Sequence, residues 1–378
     1  MVRLRWEQVR RWRVARHHLD RRVPKRRLVE VVSEVCGLQA QVQSAAELQL
    51  WARVEGVTAE DVRQALWERR TLVRTWAQRG TLHLHAAADW PVYAAALGTH
   101  DRWWKGAWLR MIGMSAEEFR RTLDAIRNSL GARPLTREQL ADKVAARGGS
   151  GSRERMLSGW GEMLKPASSE GALISGPPKG RSVTFVRPDR WLKGWKPVDG
   201  EEAMREVLRR YLAAYGPSTR EEFAAWWGTQ PAPAGRVLAS MPDGELEQVQ
   251  VGGRTRWARS TAVPAMGAKP GRSPVVLLPA FDVYTVGFRP REQLVEGRHG
   301  KRVFRQGGWI SPVVLIDGRA AGVWSHERNG GTIEVTVEMF GRPTAAQKKA
   351  IAGEADRLGA FLEGAGSGVE VRLDRWAG

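Results

Sequence analysis

The sequence holds a single cysteine, Cys36. One thiol excludes an internal disulfide framework and a cysteine metal cage, and points to a reducing, cytoplasmic setting. No apolar run reaches the roughly 18 residues that a membrane-spanning helix needs. The basic N-terminus is not followed by the apolar core of a secretory signal. A Walker loop, a dinucleotide fingerprint and a Gly-x-Ser-x-Gly elbow are all missing, so readings as an ATPase, a dehydrogenase or a serine hydrolase lack support. Cofactors are therefore expected to be none. Metal ligands are scarce too. His17 and His18 adjoin on a helical stretch, so their side chains diverge and do not chelate one ion together. His83 and His85 share one side of a strand, but no third His or Cys lies near them in sequence.

Acidic residues are also short. Sixty Lys and Arg stand against 41 Asp and Glu, a net charge of +19 over 378 residues. That imbalance favours a polyanionic partner, nucleic acid before an acidic membrane surface, with nucleoid association as the expected location. Residues 1 to 27 carry eleven basic residues against Glu7 and Asp20. Trp6, Val9, Val14 and Leu19 recur among them at near-helical spacing, which predicts a packed stripe with a basic outer face. Trp103, Trp104 and Trp108 sit among Arg102, Lys105 and Arg110, and their helical spacing reads as core rather than as a base-stacking platform.

A repeat organises the chain. Pro134-Leu135-Thr136-Arg137-Glu138-Gln139 and Pro217-Ser218-Thr219-Arg220-Glu221-Glu222 each place Gln or Glu three residues after Thr, the pattern of a capping box. A looser copy is Gly56-Val57-Thr58-Ala59-Glu60-Asp61. Each leads into helical apolar spacing and then a hairpin pattern: Thr71–Trp76 with Thr81–His85, Ala172–Ser175 with Val183–Val186, and Leu246–Val251 with Arg254–Trp257. Helix, helix, two-stranded ribbon is the order of a winged helix-turn-helix. The paired histidines at the end of the first ribbon are candidates for contact with a DNA groove. Residues 274 to 340 read as strands, including Val275–Leu278, Tyr284–Phe288, Val313–Ile316, Ala321–Trp324 and Ile333–Met339, with Asp317-Gly318 as a hairpin turn. A helix follows from Ala345 to about Leu362, and Pro264–Ser273 reads as a linker. The expected division is 1–125, 126–195, 196–262 and 270–378. The fold class is α+β: three tandem winged helices plus a small β-rich C-terminal subdomain.

The chemistry is concentrated in Gly37-Leu38-Gln39-Ala40-Gln41-Val42-Gln43. An amide does not titrate, so Gln39 and Gln41 cannot abstract a proton as a carboxylate or imidazole does. They can hold a water or face a developing cation with their dipoles. Such a pair suits only a reaction whose leaving group departs easily. Gln41 and Gln43 have the same spacing, so the register stays open by two residues.

Gly37–Gln41, Leu48–Arg53, Leu72–Trp76 with Arg79–His83, and Pro279–Tyr284 with Phe288–Arg291 together resemble the bacterial winged-helix DNA glycosylases of the AlkZ and YcaQ type, over roughly residues 25 to 375. The resemblance implies three winged helices in a C-shaped arrangement around DNA. It implies excision of bulky N7-alkylguanines, including interstrand crosslinks, and self-protection against genotoxic natural products. Its catalytic glutamine motif falls on Gln39, Ala40 and Gln41, and its His-aliphatic-His hairpin on His83, Leu84 and His85. Arg53, Arg74, Arg79, Arg289 and Arg291, with Lys179 and Arg181 of the second ribbon, are expected at the DNA or lesion. A crosslinked base cannot leave the duplex freely, so an open groove rather than a tight flipping pocket is expected. The expected partner is duplex DNA carrying alkylated guanine, bound by a monomer without membrane attachment. The alternatives are a non-catalytic winged-helix DNA-binding regulator and an RNA-binding module.

Overall fold

A computed structural model describes residues 1–148, 152–267, 274–329, 332–364 and 368–375. Helices and small sheets alternate, and the chain divides into two compact units. One comprises Met1–Val62, Arg209–Phe223 and Met241–Gly378; the other comprises Arg63–Leu208 and Ala224–Ser240. Each unit draws on separated stretches of chain, so the four consecutive segments expected from sequence do not map onto them one to one.

The three repeat caps form. The Thr58 Oγ1 accepts from the Asp61 N–H at 3.2 Å while Asp61 accepts from the Thr58 N–H at 2.8 Å. Thr136 pairs with Gln139 (3.0 and 3.3 Å) and Thr219 with Glu222 (3.1 and 3.3 Å) in the same reciprocal way. Each cap satisfies two backbone donors that a helix start leaves unpaired.

In the second unit, the cap at Thr136 opens the helix Arg137–Gly148. Helices Ser152–Leu157 and Leu164–Ser169 follow, then the antiparallel ribbon Ile174–Lys179 and Ser182–Val186. The short strand Leu135–Thr136 joins that ribbon, with Leu135 opposite Phe185. Phe119, Leu123, Ile126, Leu140, Val144, Met156, Met163 and Phe185 build the core beneath it. Trp103 is buried there, with Trp104 and Trp108 packed on its margin, as the sequence spacing predicts.

In the first unit, strands Leu246–Val251 and Arg254–Arg259 form the third expected ribbon. A strand the sequence reading did not find, Val2–Leu4, adds to it in parallel. The helix Trp6–Arg16 follows, and Leu4 and Val9 pack with Val249, Val251 and Ala258. Its basic face is broken at Arg13. That side chain is buried and donates to the carbonyls of Gly216, Pro217 and Arg289. Burial holds its pKa below the ordinary arginine value.

The C-terminal sheet has the order Val276–Leu278, Val313–Ile316, Arg319–Asn329, Thr332–Met339 and Gly368–Arg375. The last pair is parallel, joined by the crossover helix Ala345–Glu363 that buries Ile351, Ala355 and Leu358. Asp317 and Gly318 turn the second pair with φ of 52° and 72°, the left-handed geometry of a tight hairpin. The strand expected at Tyr284–Phe288 is instead the helix Val283–Gly287. Asp282 caps it by accepting from the Tyr284 N–H at 2.9 Å, and one helical turn brings the Tyr284 and Phe288 rings within 5.3 Å. The linker expected at Pro264–Ser273 begins with the short helix Val263–Met266, and its part from 268 onward lies outside the described residues.

Candidate active site

The helix Leu28–Glu34 ends abruptly. Cys36 and Gly37 take φ of 64° and 88°, and their N–H groups return to the carbonyls of Ser33 (3.0 Å) and Val32 (2.8 Å). This left-handed stop turns the chain directly into the strand Leu38–Gln39. Gln39 is 8% exposed and Ala40 is buried. Gln41 and Val42 are exposed, and the helix Gln43–Trp51 starts immediately after them. Gln43 donates its amide to Glu47 of the same helix at 3.0 Å, and burial raises the Glu47 pKa.

A buried polar network lies behind the strand. Gln49 Nε2 donates to the Gln39 carbonyl at 2.9 Å, and Gln49 Oε1 accepts from the Val283 N–H at 3.2 Å. Arg53 Nη1 donates to the Gln49 carbonyl at 2.9 Å. The two Nη atoms of Arg53 meet the two oxygens of Asp282 at 2.7 and 2.8 Å, a fork-to-fork pair with both side chains 0% exposed. Arg53 therefore lies within the fold, and the expectation that it contacts DNA is corrected. Its charge is committed to Asp282 because an uncompensated guanidinium could not be buried there.

Arg289 also turns inward. Its Nη1 donates to the carbonyls of Val286 (3.0 Å) and Phe288 (2.8 Å), satisfying the end of the helix that Asp282 opens. Arg291 is exposed and stacks over Phe304 at 4.0 Å. On the same unit, Lys301, Arg302, Arg305, Trp309 and His326 line a groove of 540 Å³. Trp309 is 44% exposed and meets the ring of Phe281, the neighbour of Asp282, edge-on at 4.8 Å.

The second unit holds the histidine ribbon, Leu72–Trp76 against Leu82–Ala86. His83 pairs with Thr75 and His85 with Val73, so both rings lie on one face, 5.9 Å apart. Both are buried. They occupy the body of the strand, and the ribbon's end is the turn Gln78–Gly80. The expectation of histidines at an exposed tip is thus corrected. The His83 Nδ1–H donates to the Thr81 carbonyl at 2.9 Å, leaving Nε2 to accept from Arg79 at 3.3 Å. Burial, then the Arg79 charge, holds the His83 pKa well below the ordinary imidazole value, so the ring is neutral. His85 Nε2 faces Gln78 Oε1 at 3.1 Å and its ring packs on Tyr93 at 4.2 Å.

Arg79 has φ of 59° and donates to the Trp226 carbonyl at 2.6 Å. Gly228 lies against it: a Cβ there would fall 2.8 Å from the Arg79 Cα, so glycine is required for the approach. Arg74 is half-buried on the face opposite the histidines, with its pKa lowered by burial. Lys179 and Arg181 are exposed at the end of their ribbon.

Gln49 and Asp282 have no motif role in the sequence reading. The signal for Gln49 was its place four residues before Arg53; for Asp282 it was a carboxylate inside the conspicuous Pro279–Tyr284 block.

A family model described as DNA glycosylase AlkZ-like matches residues 32–361. An interstrand DNA cross-link repair glycosylase of Streptomyces sahachiroi is 34% identical over 326 residues, spanning 84% of this chain and 87% of that protein. Among solved structures, Streptomyces sahachiroi DNA glycosylase AlkZ matches with a TM-score of 0.88 at 32% identity, over 99% of this chain and 100% of that one. The class these relatives define is the DNA glycosylases, hydrolases of N-glycosyl bonds. The chain belongs to the AlkZ-like DNA glycosylase family.

Proposed function

We propose that this glycosylase hydrolyses the N-glycosidic bond of bulky N7-alkylguanines in duplex DNA, interstrand crosslinks among them, and leaves an abasic site. The reading rests on the Gln39–Gln41 pair. An N7-alkylated guanine is cationic, and breaking its glycosidic bond neutralises it, so no general acid is needed on the base. What remains is to hold a water and to face an oxocarbenium-like sugar with oxygen dipoles, and two carboxamides supply both. An unmodified guanine stays intact because nothing in an amide pair protonates it. The pair carries no amine for Schiff-base chemistry, hence the abasic product.

Two observations support this register and partner. Gln39 ends the short strand and Gln41 lies exposed just beyond it, whereas Gln43 already belongs to the following helix, which favours Gln39 with Gln41 over Gln41 with Gln43. Lys301 and Arg305 of the groove around Trp309 and the exposed Arg291, all in the C-terminal part of the chain, suit phosphate contact, as does the Lys179–Arg181 end of the second ribbon. The relative named for interstrand DNA cross-link repair supports crosslinks among the substrates, and a crosslinked base cannot leave the duplex freely, so the adduct is read in place in an open groove.

The deciding experiment incubates the protein with duplex DNA carrying N7-methylguanine, then cleaves abasic sites with alkali. Breaks at guanine are expected from the wild type and are lost in the Gln39→Ala, Gln41→Ala double variant. Full excision by that variant would remove the amides from the mechanism. No breaks with any alkylated duplex would leave a plain DNA binder.

A further inference from the structure

We propose that Gln49 is the positioning residue of the excision reaction, its buried amide fixing the backbone of Gln39 and so the aim of the Gln39 carboxamide. The inference rests on the reading of Gln39 as a group that faces the scissile bond.

The Gln49 amide uses both of its ends on main chain. Nε2 gives a hydrogen bond to the Gln39 carbonyl at 2.9 Å and Oε1 takes one from the Val283 N–H at 3.2 Å. A carbonyl requires the nitrogen end and an N–H requires the oxygen end, so the amide has one permitted orientation. The Gln49 backbone is held in turn, because its carbonyl accepts from Arg53 at 2.9 Å. Arg53 grips Asp282 through both Nη atoms, and Asp282 Oδ1 caps the helix at Tyr284. The bonds therefore close a ring from Gln49 through Arg53 and Asp282 to Val283 and back to Gln49. The bond that Gln49 donates attaches the Gln39 carbonyl to that ring. Gln49, Arg53 and Asp282 are each 0% exposed, whereas Gln41 two residues past the anchored strand position is open to solvent.

Burying an ion pair and an amide seldom adds net stability over apolar packing of the same shape. It does fix geometry, and a reaction that relies on dipoles rather than proton transfer is sensitive to their placement. The ring supplies a rigid reference beneath a strand only two residues long.

Gln49→Glu separates positioning from packing. The side chain keeps its size and loses its donor, so an ionised carboxylate would face the Gln39 carbonyl, oxygen to oxygen. A protonated carboxyl restores one donor and one acceptor, the pattern of the amide. Burial raises a carboxyl pKa into the measurable range. Single-turnover excision of N7-methylguanine from duplex DNA is measured between about pH 5.5 and 8.5, with affinity for undamaged duplex and thermal unfolding measured alongside. The expected result is a rate at least about 10-fold below wild type at the alkaline end, recovering to within about 3-fold at the acid end, with duplex affinity unchanged. The wild type is expected to show no such acid recovery. Gln49→Met, which has neither donor nor acceptor, is expected to be slow at every pH, and it decides the matter if the glutamate variant does not fold. Wild-type rates for both variants at all pH values would overturn the proposal, as would rate losses that track losses of duplex affinity or of folded protein. If Gln39→Ala is inactive while both Gln49 variants are normal, only the positioning role fails. If Gln39→Ala is itself fully active, the mechanism beneath it fails.

Discussion

The Gln39 strand and the histidine ribbon are both held by buried polar side chains, yet over different reaches of chain. Behind Gln39, partners are gathered from afar: Asp282 lies 229 residues from Arg53, and Val283 lies 234 from Gln49. In the ribbon, His83 is bonded to a residue four positions away and His85 to one seven away. The first arrangement exists only when the whole first unit has folded. In the second, the bonds to the rings are local to one turn, and that turn is itself held by the distant Trp226 carbonyl and Gly228. The chemical character differs in parallel. Full charges are paired behind Gln39, whereas the ribbon bonds its imidazoles, the neutral His83 among them, through a carbonyl, an amide oxygen and a single guanidinium.

The largest effect is expected from breaking the distant anchor. Asp282→Asn keeps the shape and leaves the Arg53 guanidinium buried without a counter-charge. A loss of about 3–5 kcal/mol is expected, read as a lower denaturant midpoint. Combining it with Arg53→Met removes the stranded charge, so the double variant should recover part of that loss. If the single variant is as stable as wild type, the contrast between a charged anchor and a neutral ribbon has no energetic content.

A smaller effect is expected from the ribbon's support. Gly228 has φ of +89°, and an added Cβ would meet the Arg79 backbone at 2.8 and 2.9 Å. Gly228→Ala should cost about 1–3 kcal/mol and displace the Gln78–Gly80 turn. Because the bonds to His83 and His85 come from that turn, lesion excision should fall more than affinity for undamaged duplex. Equal losses in the two measurements would mean that the turn serves general DNA contact only.

The contrast also explains how far the sequence could be read. The capping boxes at Thr58, Thr136 and Thr219 and the three ribbons are short-range patterns, and they were legible because the residues that satisfy each other lie three to fourteen positions apart. So was the Asp317-Gly318 hairpin. The helix at Val283–Gly287 read as a strand because Val283, Tyr284, Thr285 and Val286 are β-branched or aromatic and its cap, Asp282, serves both the Tyr284 N–H and Arg53. Arg53, Arg289 and Arg13 looked like surface cations because sequence shows charge but not the carbonyls and carboxylate that receive it. The histidines were assigned to the right strand and the same face. Their burial was not legible, since His85 packs on Tyr93 and Trp90, supplied by the helix after the strand, and His83 lies against the His85 ring.

The smallest effect should come from charges that neither region uses. Lys179 and Arg181 are exposed at a ribbon end. Replacing both with alanine should change unfolding free energy by no more than about 0.5 kcal/mol, unlike either support described above. If the two side chains neutralise DNA phosphates, the slope of log affinity against log salt concentration should shrink by up to about 2. The single-turnover excision rate at saturating protein should stay near wild type, because neither residue belongs to the Gln39 anchor or the histidine turn. An unchanged salt slope would remove this ribbon from the DNA contact surface. A large fall in the saturated rate would instead place it at the lesion.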